Sequence, residues 1–321
     1  MRPAGIRRRL DTPGERGCGP RALRTAAVGR VRPPTSPLAA PPIPRPDRRR
    51  AACGVTLRSF ADLAGTPLGP GIGEDLTPMP DLTLLMPVYN EAATIEVAIQ
   101  SVLETDFAVD GMELIVIDDG STDGTRALLE AGVWDDRVRV LYRAKNRGKG
   151  AAIRTGLREA RGSYCGIIDA DLEYSPADTA RLLEPLRAGQ AKAVFGVRGF
   201  TAHSAYSFWF VVGNKAVTLA ANVLYNSWIS DLMTCQKVMA TELFRALDLR
   251  ETGFGIEPEI AARLLRSGVR IYEVPVSYRA RSREEGKKLR AFDAARVLRT
   301  LVRCRFGQDG VSPIAGSSGN P

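Results

Sequence analysis

The sequence is poor in histidine and has no paired cysteine motif. Of its 321 residues only His203 is a histidine, and the five cysteines include no Cys-x-x-Cys spacing. A Cys/His zinc site and a Ser-His-Asp triad are therefore poorly supported, because both depend on histidine or on clustered thiolates. An odd number of dispersed cysteines favours a reduced, cytoplasmic setting over a disulfide-bonded secreted one.

Long hydrophobic runs are also missing. No stretch of eighteen apolar residues occurs, and the nearest approach, residues 208–225, is interrupted by Asn214, Lys215 and Asn222. A membrane-spanning helix needs about 20 predominantly apolar residues, so we expect no spanning segment. The stretch 208–225 is predicted either to pack into the core or to provide peripheral contact with a membrane.

The net positive charge of the chain lies in its N-terminal segment. Residues 1–50 hold thirteen Arg, no Lys and three acids, which is +10 against +9 for the whole chain, so the other 271 residues carry −1. A nucleic-acid-binding domain would carry its basic charge on the folded part, so no nucleic acid partner is expected. Residues 1–80, rich in Arg, Pro, Gly and Ala, are predicted to be a disordered tail or an over-extended gene start. Lipid anchoring by the arginines is the alternative.

The pattern of a folded domain begins at Asp81 and is predicted to extend over residues 81–307, with a disordered tail over 308–321. Buried runs at 82–88, 113–117, 137–142, 164–168 and 191–197 predict five strands, and helical patterns lie between them. Asn90 is predicted to cap a helix that begins at Glu91, and Pro176 to lie in the first turn of another. Strands alternating with helices predict an α/β domain with a mostly parallel, doubly wound sheet.

Polar motifs follow three of these strands. They are Tyr89-Asn90-Glu91, Asp118-Asp119 and Asp169-Ala170-Asp171. Parallel strands bring their carboxyl ends to one edge, where ligands of such sheets bind. In an extended backbone Asp169 and Asp171 point the same way, and two close carboxylates repel each other unless a cation lies between them. The alternative is a solvated loop with two surface acids.

Four segments taken together, 87–91, 117–125, 146–150 and 169–173, resemble family 2 glycosyltransferases of the GT-A fold over roughly residues 82–200. Within that family the chain looks closest to polyprenyl- and dolichyl-phosphate mannosyl- or glucosyltransferases (dolichyl-phosphate mannose synthase-like enzymes). The later segments 231–237, 253–259 and 285–289 are similar to the acceptor-side half of those enzymes, although this part of the resemblance is less specific.

The resemblance implies a donor side and a metal site. The residues expected on the donor side are Pro87, Tyr89, Glu91, Asp118, Asp119, Lys149, Gly150, Asp169, Ala170 and Asp171. Either Asp118 or Asp119 would accept a hydrogen bond from the base, and the Lys149–Gly150 segment could equally be a simple helix entry. Mg²⁺ or Mn²⁺ is expected on Asp169, Asp171 and Glu173, although many family members carry Gln in place of Glu173.

The resemblance also implies an acceptor side. The residues expected on the acceptor or its phosphate are Arg198, Asp231, Lys237, Arg281 and Lys287, and those expected in catalysis are Asp171, Arg198 and Lys288. A solvated charge run is the alternative for the basic cluster 281–288. The family often has glycine at the Cys235 position. Met233, Phe254 and the aromatic residues at 206 and 208–210 are expected to be core or membrane-contact residues.

The implied reaction is metal-dependent, inverting transfer of a hexose, mannose or glucose, from a nucleotide sugar such as GDP-mannose or UDP-glucose to polyprenyl phosphate. The alternative is a soluble family 2 enzyme that acts on a hydroxyl acceptor in cell-wall or polysaccharide synthesis, with Glu257 as the nearest general base. A non-catalytic nucleotide-sugar-binding module is a third hypothesis. The Asp-Ala-Asp motif disfavours it, because a binder has less need of a metal at the diphosphate.

Overall fold

A computed structural model describes residues 79–199, 208–280 and 292–307, and the predicted tails lie almost wholly outside these ranges. The described residues form seven strands and eight helices. The strands are β1 (Leu82–Val88), β2 (Met112–Asp118), β3 (Val138–Tyr142), β4 (Tyr164–Ile167), β5 (Ala193–Arg198), β6 (Lys237–Ala240) and β7 (Ile271–Val276). The helices are α1 (Ile95–Leu103), α2 (Thr125–Ala131), α3 (Lys149–Glu159), α4 (Pro176–Arg187), α5 (Phe208–Tyr225), α6 (Thr241–Ala246), α7 (Ile256–Arg266) and α8 (Phe292–Phe306).

The strands form one sheet in the order β3-β2-β1-β4-β6-β5-β7. Strands β1 to β4 pair in parallel, as do β5 and β7, whereas β6 runs antiparallel to both of its neighbours. The prediction of a mostly parallel α/β sheet is confirmed. Two of the seven strands were not predicted: the antiparallel strand β6, only four residues long, and β7 at the edge of the sheet.

Apolar side chains cover both faces of the sheet, which explains the continuous hydrophobic runs of the central strands. Every residue of β2 is buried. Leu85 and Ile117 belong to a core cluster with α3, α7 and α8 on one face, while Leu84 and Val116 belong to a second cluster with α1 and α4 on the other. The helices therefore flank the sheet on both sides.

One helix start differs from the prediction and one agrees. Asn90 does not cap a helix, because α1 begins only at Ile95. Asn90 instead has a left-handed φ of 55° and its side-chain oxygen accepts the backbone N–H of Thr122. Pro176 is the first residue of α4, as predicted, where its missing N–H costs no hydrogen bond.

Helix α5 coincides with the longest apolar stretch of the sequence. One face of it is buried, with Asn214, Val217 and Ala221 among the buried residues, and the opposite face is exposed. No helix within the described ranges is both long and apolar enough to cross a membrane.

Candidate active site

The carboxyl ends of β1, β2, β4 and β5 border a cavity of about 380 Å³. Because β6 runs in the opposite direction, its first residues reach the same edge. Ten residues predicted for the site line this cavity: Pro87, Tyr89, Glu91, Asp119, Lys149, Asp169, Ala170, Asp171, Glu173 and Arg198. Its volume lies in the range of about 300–1,000 Å³ that is usual for ligand sites.

The loop after β1 is held against the turn that follows β2. The N–H of Asn90 donates to Ser121 Oγ at 3.0 Å, and the N–H of Glu91 donates to Thr125 Oγ1 at 2.9 Å. These bonds fix a segment that lies outside any helix or strand. They hold Tyr89 and Glu91 in the cavity wall.

The two adjacent aspartates at the end of β2, Asp118 and Asp119, have different surroundings. Asp118 is fully buried and forms an ion pair with Arg126, whose Nη2 lies 2.5 Å from Asp118 Oδ2. Asp119 accepts the N–H of Gly148 at 2.6 Å, lies 2.9 Å from Arg143 Nη1, and lines the cavity. The structure thus places Asp119 at the ligand cavity, whereas Asp118 is buried and pairs with Arg126 outside the cavity lining, so the expected donor contact of Asp118 is not supported.

Lys149 lies at the centre of a charged cluster in the cavity wall. Its Nζ is 2.8 Å from Asp169 Oδ1, 3.0 Å from Glu257 Oε1 and 3.1 Å from Cys235 Sγ. Burial lowers the pKa of Lys149, but the neighbouring Asp169, Cys235 and Glu257 outweigh burial and raise the pKa well above its ordinary value. Lys149 is therefore a fixed positive charge facing the cavity.

Gly150 is needed for packing rather than for contact with the cavity. A Cβ at this position would stand 2.5 Å from the backbone oxygen of Glu251, a distance that real Cβ atoms do not adopt. Gly150 therefore allows the start of α3 to approach the backbone of the loop after α6. The structure places Gly150 outside the cavity wall, so its expected donor contact is not supported.

The acidic segment after β4 reaches the cavity through a turn. Strand β4 ends at Ile167, and Leu172 has a left-handed φ of 59°, which is uncommon for a non-glycine residue. The N–H of Glu173 donates to Asp171 Oδ1 at 3.1 Å. Ala170 and Asp171 lie in a turn and not in the extended backbone that was predicted, yet Asp169 and Asp171 line the same cavity.

The carboxyl groups of this segment offer oxygen ligands, but not three that converge. Within the described ranges no group of three or more His, Cys, Asp or Glu is placed to hold a metal ion. Glu173 Oε2 accepts a hydrogen bond of 2.5 Å from the Tyr278 hydroxyl. Mg²⁺ is commonly bound by only one or two carboxylates, with phosphates and water completing its shell. Asp169 and Asp171 could supply the one or two carboxylate ligands that such a Mg²⁺ site needs from the protein. The expected ligation by Glu173 is not supported.

The positive charge of Lys149 sets the ionisation of Asp169. Burial raises the pKa of Asp169. The charge of Lys149 and hydrogen bonds from Cys235 and Lys149 lower this pKa by a larger amount, so it lies below its ordinary value. Asp169 is consequently ionised at neutral pH. A negative charge and a positive charge thus lie side by side at the cavity edge.

Arg198, the last residue of β5, is oriented by a buried carboxylate. Its Nε and Nη2 lie 2.6 Å and 2.8 Å from the two oxygens of Asp231, which also accepts a hydrogen bond from Asn214 Nδ2 at 3.1 Å. Arg198 lines the cavity, but Asp231 is fully buried behind it. Asp231 therefore positions Arg198, and the expected direct contact of Asp231 with the acceptor is not supported.

Lys237 is also buried rather than facing a ligand. Its ammonium contacts the backbone oxygen of Thr234 and lies 2.5 Å from Glu257 Oε2. Glu257 does line the cavity, and its other oxygen contacts Lys149. The expected acceptor contact of Lys237 is not supported. The residue instead stabilises the charge of Glu257.

Several cavity residues were missed or misjudged from the sequence. Met233 and Phe254, predicted to be core or membrane contacts, line the cavity. Tyr174 and Tyr278 also line it, with ring centroids 4.9 Å apart. Tyr174 and Tyr278 are far apart in sequence and meet through an isolated β-bridge, for which no local sequence signal exists. Cys235 lies at the cavity because β6, a strand that was not predicted, follows it.

The basic segment predicted to close over the ligand cannot be placed. Arg281, Arg283, Lys287 and Lys288 lie outside the described residues, as does the aromatic Tyr206. Their roles remain predictions from the resemblance.

Comparison with known proteins supports the assignment suggested by the motifs. Residues 83–247 match the family described as Glycosyl transferase family 2. The chain is 31% identical over 203 residues to Glycosyltransferase AglJ of Haloferax volcanii, which covers 63% of this chain and 64% of that protein. It is 28% identical over 224 residues to Polyprenol monophosphomannose synthase of Mycolicibacterium smegmatis, covering 66% of this chain and 83% of the relative.

Some relatives are longer than the matched region. The match covers 64% of AglJ and 32% of Succinoglycan biosynthesis protein ExoO of Rhizobium meliloti, so the chain spans less than two thirds of these curated relatives. The activities of those whole proteins therefore bear on this chain only as proposals.

A solved structure shares the fold. Glucosyl-3-phosphoglycerate synthase from Mycobacterium tuberculosis, in complex with Mn²⁺, UDP and glucosyl-3-phosphoglycerate, superposes with a TM-score of 0.54 at 25% identity, covering 70% of this chain and 80% of that one. The expectation of a GT-A-like fold is confirmed. Together with the family match over more than half of the chain and the strand-end motifs in one cavity, this shows that the chain belongs to glycosyltransferase family 2.

Proposed function

We propose that this family 2 glycosyltransferase moves a hexose from a nucleoside diphosphate sugar to a polyprenyl phosphate, with Mg²⁺ or Mn²⁺ at Asp169 and Asp171. The observation that carries the proposal is the single cavity in which these two carboxylates face Lys149 and Arg198. Paired acids and fixed cations in one cavity suit a reaction in which a diphosphate leaves and a phosphate attacks.

On the donor side, Asp119, Tyr89 and Glu91 form the wall where the nucleoside is expected. A divalent cation on Asp169 and Asp171 supplies positive charge that offsets the diphosphate. Lys149, already held as a cation at this wall, adds a second positive charge. The structural relative, which was crystallised with Mn²⁺ and UDP, supports the use of a divalent metal ion.

On the acceptor side, Arg198 is the group that suits a phosphate. Its guanidinium is fixed by Asp231 and lines the cavity, and guanidinium groups bind phosphate in a bidentate manner. An oxygen of the lipid phosphate forms a bond to C1 of the hexose, the bond from C1 to the diphosphate oxygen breaks, and its electron pair leaves with the nucleoside diphosphate. The resemblance to the family implies inversion at C1.

The surroundings of Glu257 favour a phosphate acceptor over a hydroxyl. A hydroxyl acceptor needs a general base. Glu257 is a carboxylate in the cavity wall and is the candidate for that role. Its two oxygens, however, contact the ammonium groups of Lys149 and Lys237. A proton taken from a hydroxyl would have to compete with both ammonium groups for the oxygens of Glu257. An ionised phosphate acceptor has no proton to lose and needs no base.

A soluble acceptor is the second candidate, favoured by one relative. The structural relative was crystallised with glucosyl-3-phosphoglycerate, a small phosphorylated product. The M. smegmatis relative is named a polyprenol monophosphomannose synthase, which favours the lipid. A soluble acceptor of this kind would react through its hydroxyl, with Glu257 as the candidate base, while its own phosphate could contact Arg198.

An acceptor comparison separates the two candidates. Purified protein is incubated with GDP-mannose or UDP-glucose, with and without Mg²⁺, and with polyprenyl phosphate, 3-phosphoglycerate or a neutral saccharide. We expect release of nucleoside diphosphate with one donor to rise at least about tenfold when polyprenyl phosphate and Mg²⁺ are present together. Stimulation by a soluble acceptor alone would replace the lipid proposal with the second candidate.

We further propose that α5 and α8 rest on an anionic membrane surface, which a lipid acceptor requires. The two helices pack together, with the Tyr225 hydroxyl donating to the Leu301 backbone oxygen at 2.8 Å. Trp209 and Trp228 are 75% and 84% exposed, and Phe306 is exposed at the end of α8. The described part of α8 also carries four arginines, Arg296, Arg299, Arg303 and Arg305, and this combination suits anionic lipid.

Removing the two tryptophans should weaken membrane binding. Each offers about 150–250 Å² of surface for burial, at about 25 cal/mol per Å², so Trp209→Ala with Trp228→Ala should weaken vesicle binding at least about tenfold. Co-sedimentation with vesicles of phosphatidylglycerol and phosphatidylcholine measures this. Val97→Ala with Val133→Ala, which removes exposed apolar side chains elsewhere, should bind as the wild type does. Equal binding of both double variants would refute this docking surface.

A further inference from the structure

A second cavity lies beside α3 and is lined by arginine. It has a volume of about 180 Å³, and its wall contains Arg143, Arg147, Arg154 and Arg158 together with Thr155 and Thr252. No acidic residue lines it. It does not include any residue to which the proposed transfer reaction assigns a role.

The sequence of α3 explains how the hollow forms. Ala151, Arg154, Thr155 and Arg158 are spaced by three and four residues, which places them along one side of the helix. Ala151 and Thr155, with small side chains, line the hollow together with the longer Arg154 and Arg158. The Thr155 hydroxyl donates to the Ala151 backbone oxygen at 2.9 Å, which keeps it in the helix surface.

The positive charge in this hollow is poorly compensated. Of the four arginines that line the hollow, only Arg143 has a carboxylate within ion-pair distance among the described residues. That carboxylate is Asp119, at 2.9 Å. Arg154 Nη1 donates to the Arg250 backbone oxygen at 3.2 Å, which satisfies a hydrogen bond without supplying negative charge. Arginine does not lose its proton in proteins. Arg147 and Arg158 are exposed, and Arg143 and Arg154 are partly buried, so four guanidinium groups around one small hollow create a positive potential that attracts anions.

The size and the donor type identify the class of anion. Guanidinium groups bind phosphate oxygens through paired hydrogen bonds, better than an ammonium does. A volume of about 180 Å³ is below the range of about 300–1,000 Å³ for sites that enclose drug-sized ligands. The hollow therefore has room for one or two phosphate groups and not for a nucleotide sugar.

We propose that this arginine-lined cavity is a binding site for a phosphate-bearing anion, separate from the cavity of the transfer reaction. The anion is a free phosphate or pyrophosphate, or the phosphate of a lipid headgroup. The site adjoins the first cavity through Arg143, which contacts Asp119. Variants that test it must therefore leave Arg143 and Arg147 in place.

The test uses Arg154→Gln with Arg158→Gln, two residues outside the first cavity. Titration calorimetry of the full chain with inorganic pyrophosphate should show binding that the double variant weakens by at least about tenfold, because it removes two of the four guanidinium groups that line the hollow. The matched control is Lys192→Gln with Arg270→Gln, which removes two positive charges from exposed residues just before β5 and β7, on the far side of the sheet from β2 and β3. The control should bind pyrophosphate within about twofold of the wild type, since distant exposed charges are screened.

Vesicles distinguish the two sources of phosphate. If the same double variant, but not the control, also loses binding to phosphatidic acid vesicles, the ligand is a lipid headgroup. Unchanged vesicle binding with lost pyrophosphate binding identifies a free anion. Three results would overturn the proposal: no pyrophosphate binding by the wild type, unchanged binding by Arg154→Gln with Arg158→Gln, or equal weakening by the control pair. Thermal melting checks that all variants are folded.

Discussion

Asp171→Ala should lower the rate of hexose transfer by about 10²–10³-fold, the largest effect on activity that we predict. A metal ion offsets several kcal/mol of charge at the departing diphosphate, and each 1.36 kcal/mol corresponds to a factor of ten in rate. Asp171 lines the cavity and is only partly buried. Its removal should therefore change activity far more than it changes stability.

The measurement is transfer from a radiolabelled donor at saturating acceptor. Asp136→Ala, which removes an exposed acid before β3, is the control and should keep wild-type activity. Chelation by EDTA should lower wild-type activity to a similar extent, with recovery on addition of Mg²⁺ or Mn²⁺. Near wild-type turnover by Asp171→Ala would remove this residue from the metal site.

Asp231→Ala should lower the free energy of unfolding by about 3–5 kcal/mol, the largest effect on stability that we predict. Removing one partner of a buried ion pair leaves the other charge buried and uncompensated. Asp231 is fully buried, and Arg198 is only 4% exposed. The same change should release Arg198 from its bidentate contact and lower activity as well.

Urea denaturation measures this loss, and two variants make it specific. Glu242→Ala removes an ion pair with Arg245 in which the carboxylate is 84% exposed, so it should cost no more than about 1 kcal/mol. Arg198→Met with Asp231→Leu removes both charges and should cost less than Asp231→Ala alone. A double variant that is less stable than Asp231→Ala would contradict this account of the pair.

The same pair predicts a dependence of stability on pH. Burial raises the pKa of Asp231, but the hydrogen bonds and charge of Arg198 outweigh burial, so the pKa lies below its ordinary value. The unfolded chain has an Asp pKa of about 3.9. The stabilisation by Asp231 is thus fully present above that pH and is lost as the pH falls through the folded pKa. The stability of Asp231→Ala should accordingly fall less steeply below about pH 4.

The sequence predicted the parts of the fold that depend on local pattern. Strands such as β1 and β2 are buried on both faces, and their continuous apolar runs have few other interpretations. The four-residue strand β6 has too few residues to show a pattern, and its antiparallel direction depends on pairing with β4 and β5. The residues around it, Cys235 and Lys237, were therefore located less well than those after β4.

The site was predicted as a set of strand-end motifs, but not as a set of side-chain contacts. Asp118 and Asp119 are adjacent and chemically identical, and only the position of Arg126 shows which one is buried away from the cavity. Asp231 and Lys237 have charges that suit a ligand, yet each meets an opposite charge inside the protein. Such pairings depend on tertiary contacts between residues 20 or more positions apart, which no local motif records.

The most direct test of the central proposal is the acceptor comparison read by mass spectrometry of the lipid fraction. After incubation with donor sugar, Mg²⁺ and polyprenyl phosphate, the account predicts a lipid heavier by one hexose residue, formed in step with nucleoside diphosphate and absent with Asp171→Ala. Donor consumption that yields only free sugar or a glycosylated soluble acceptor, with the lipid unchanged, would contradict it.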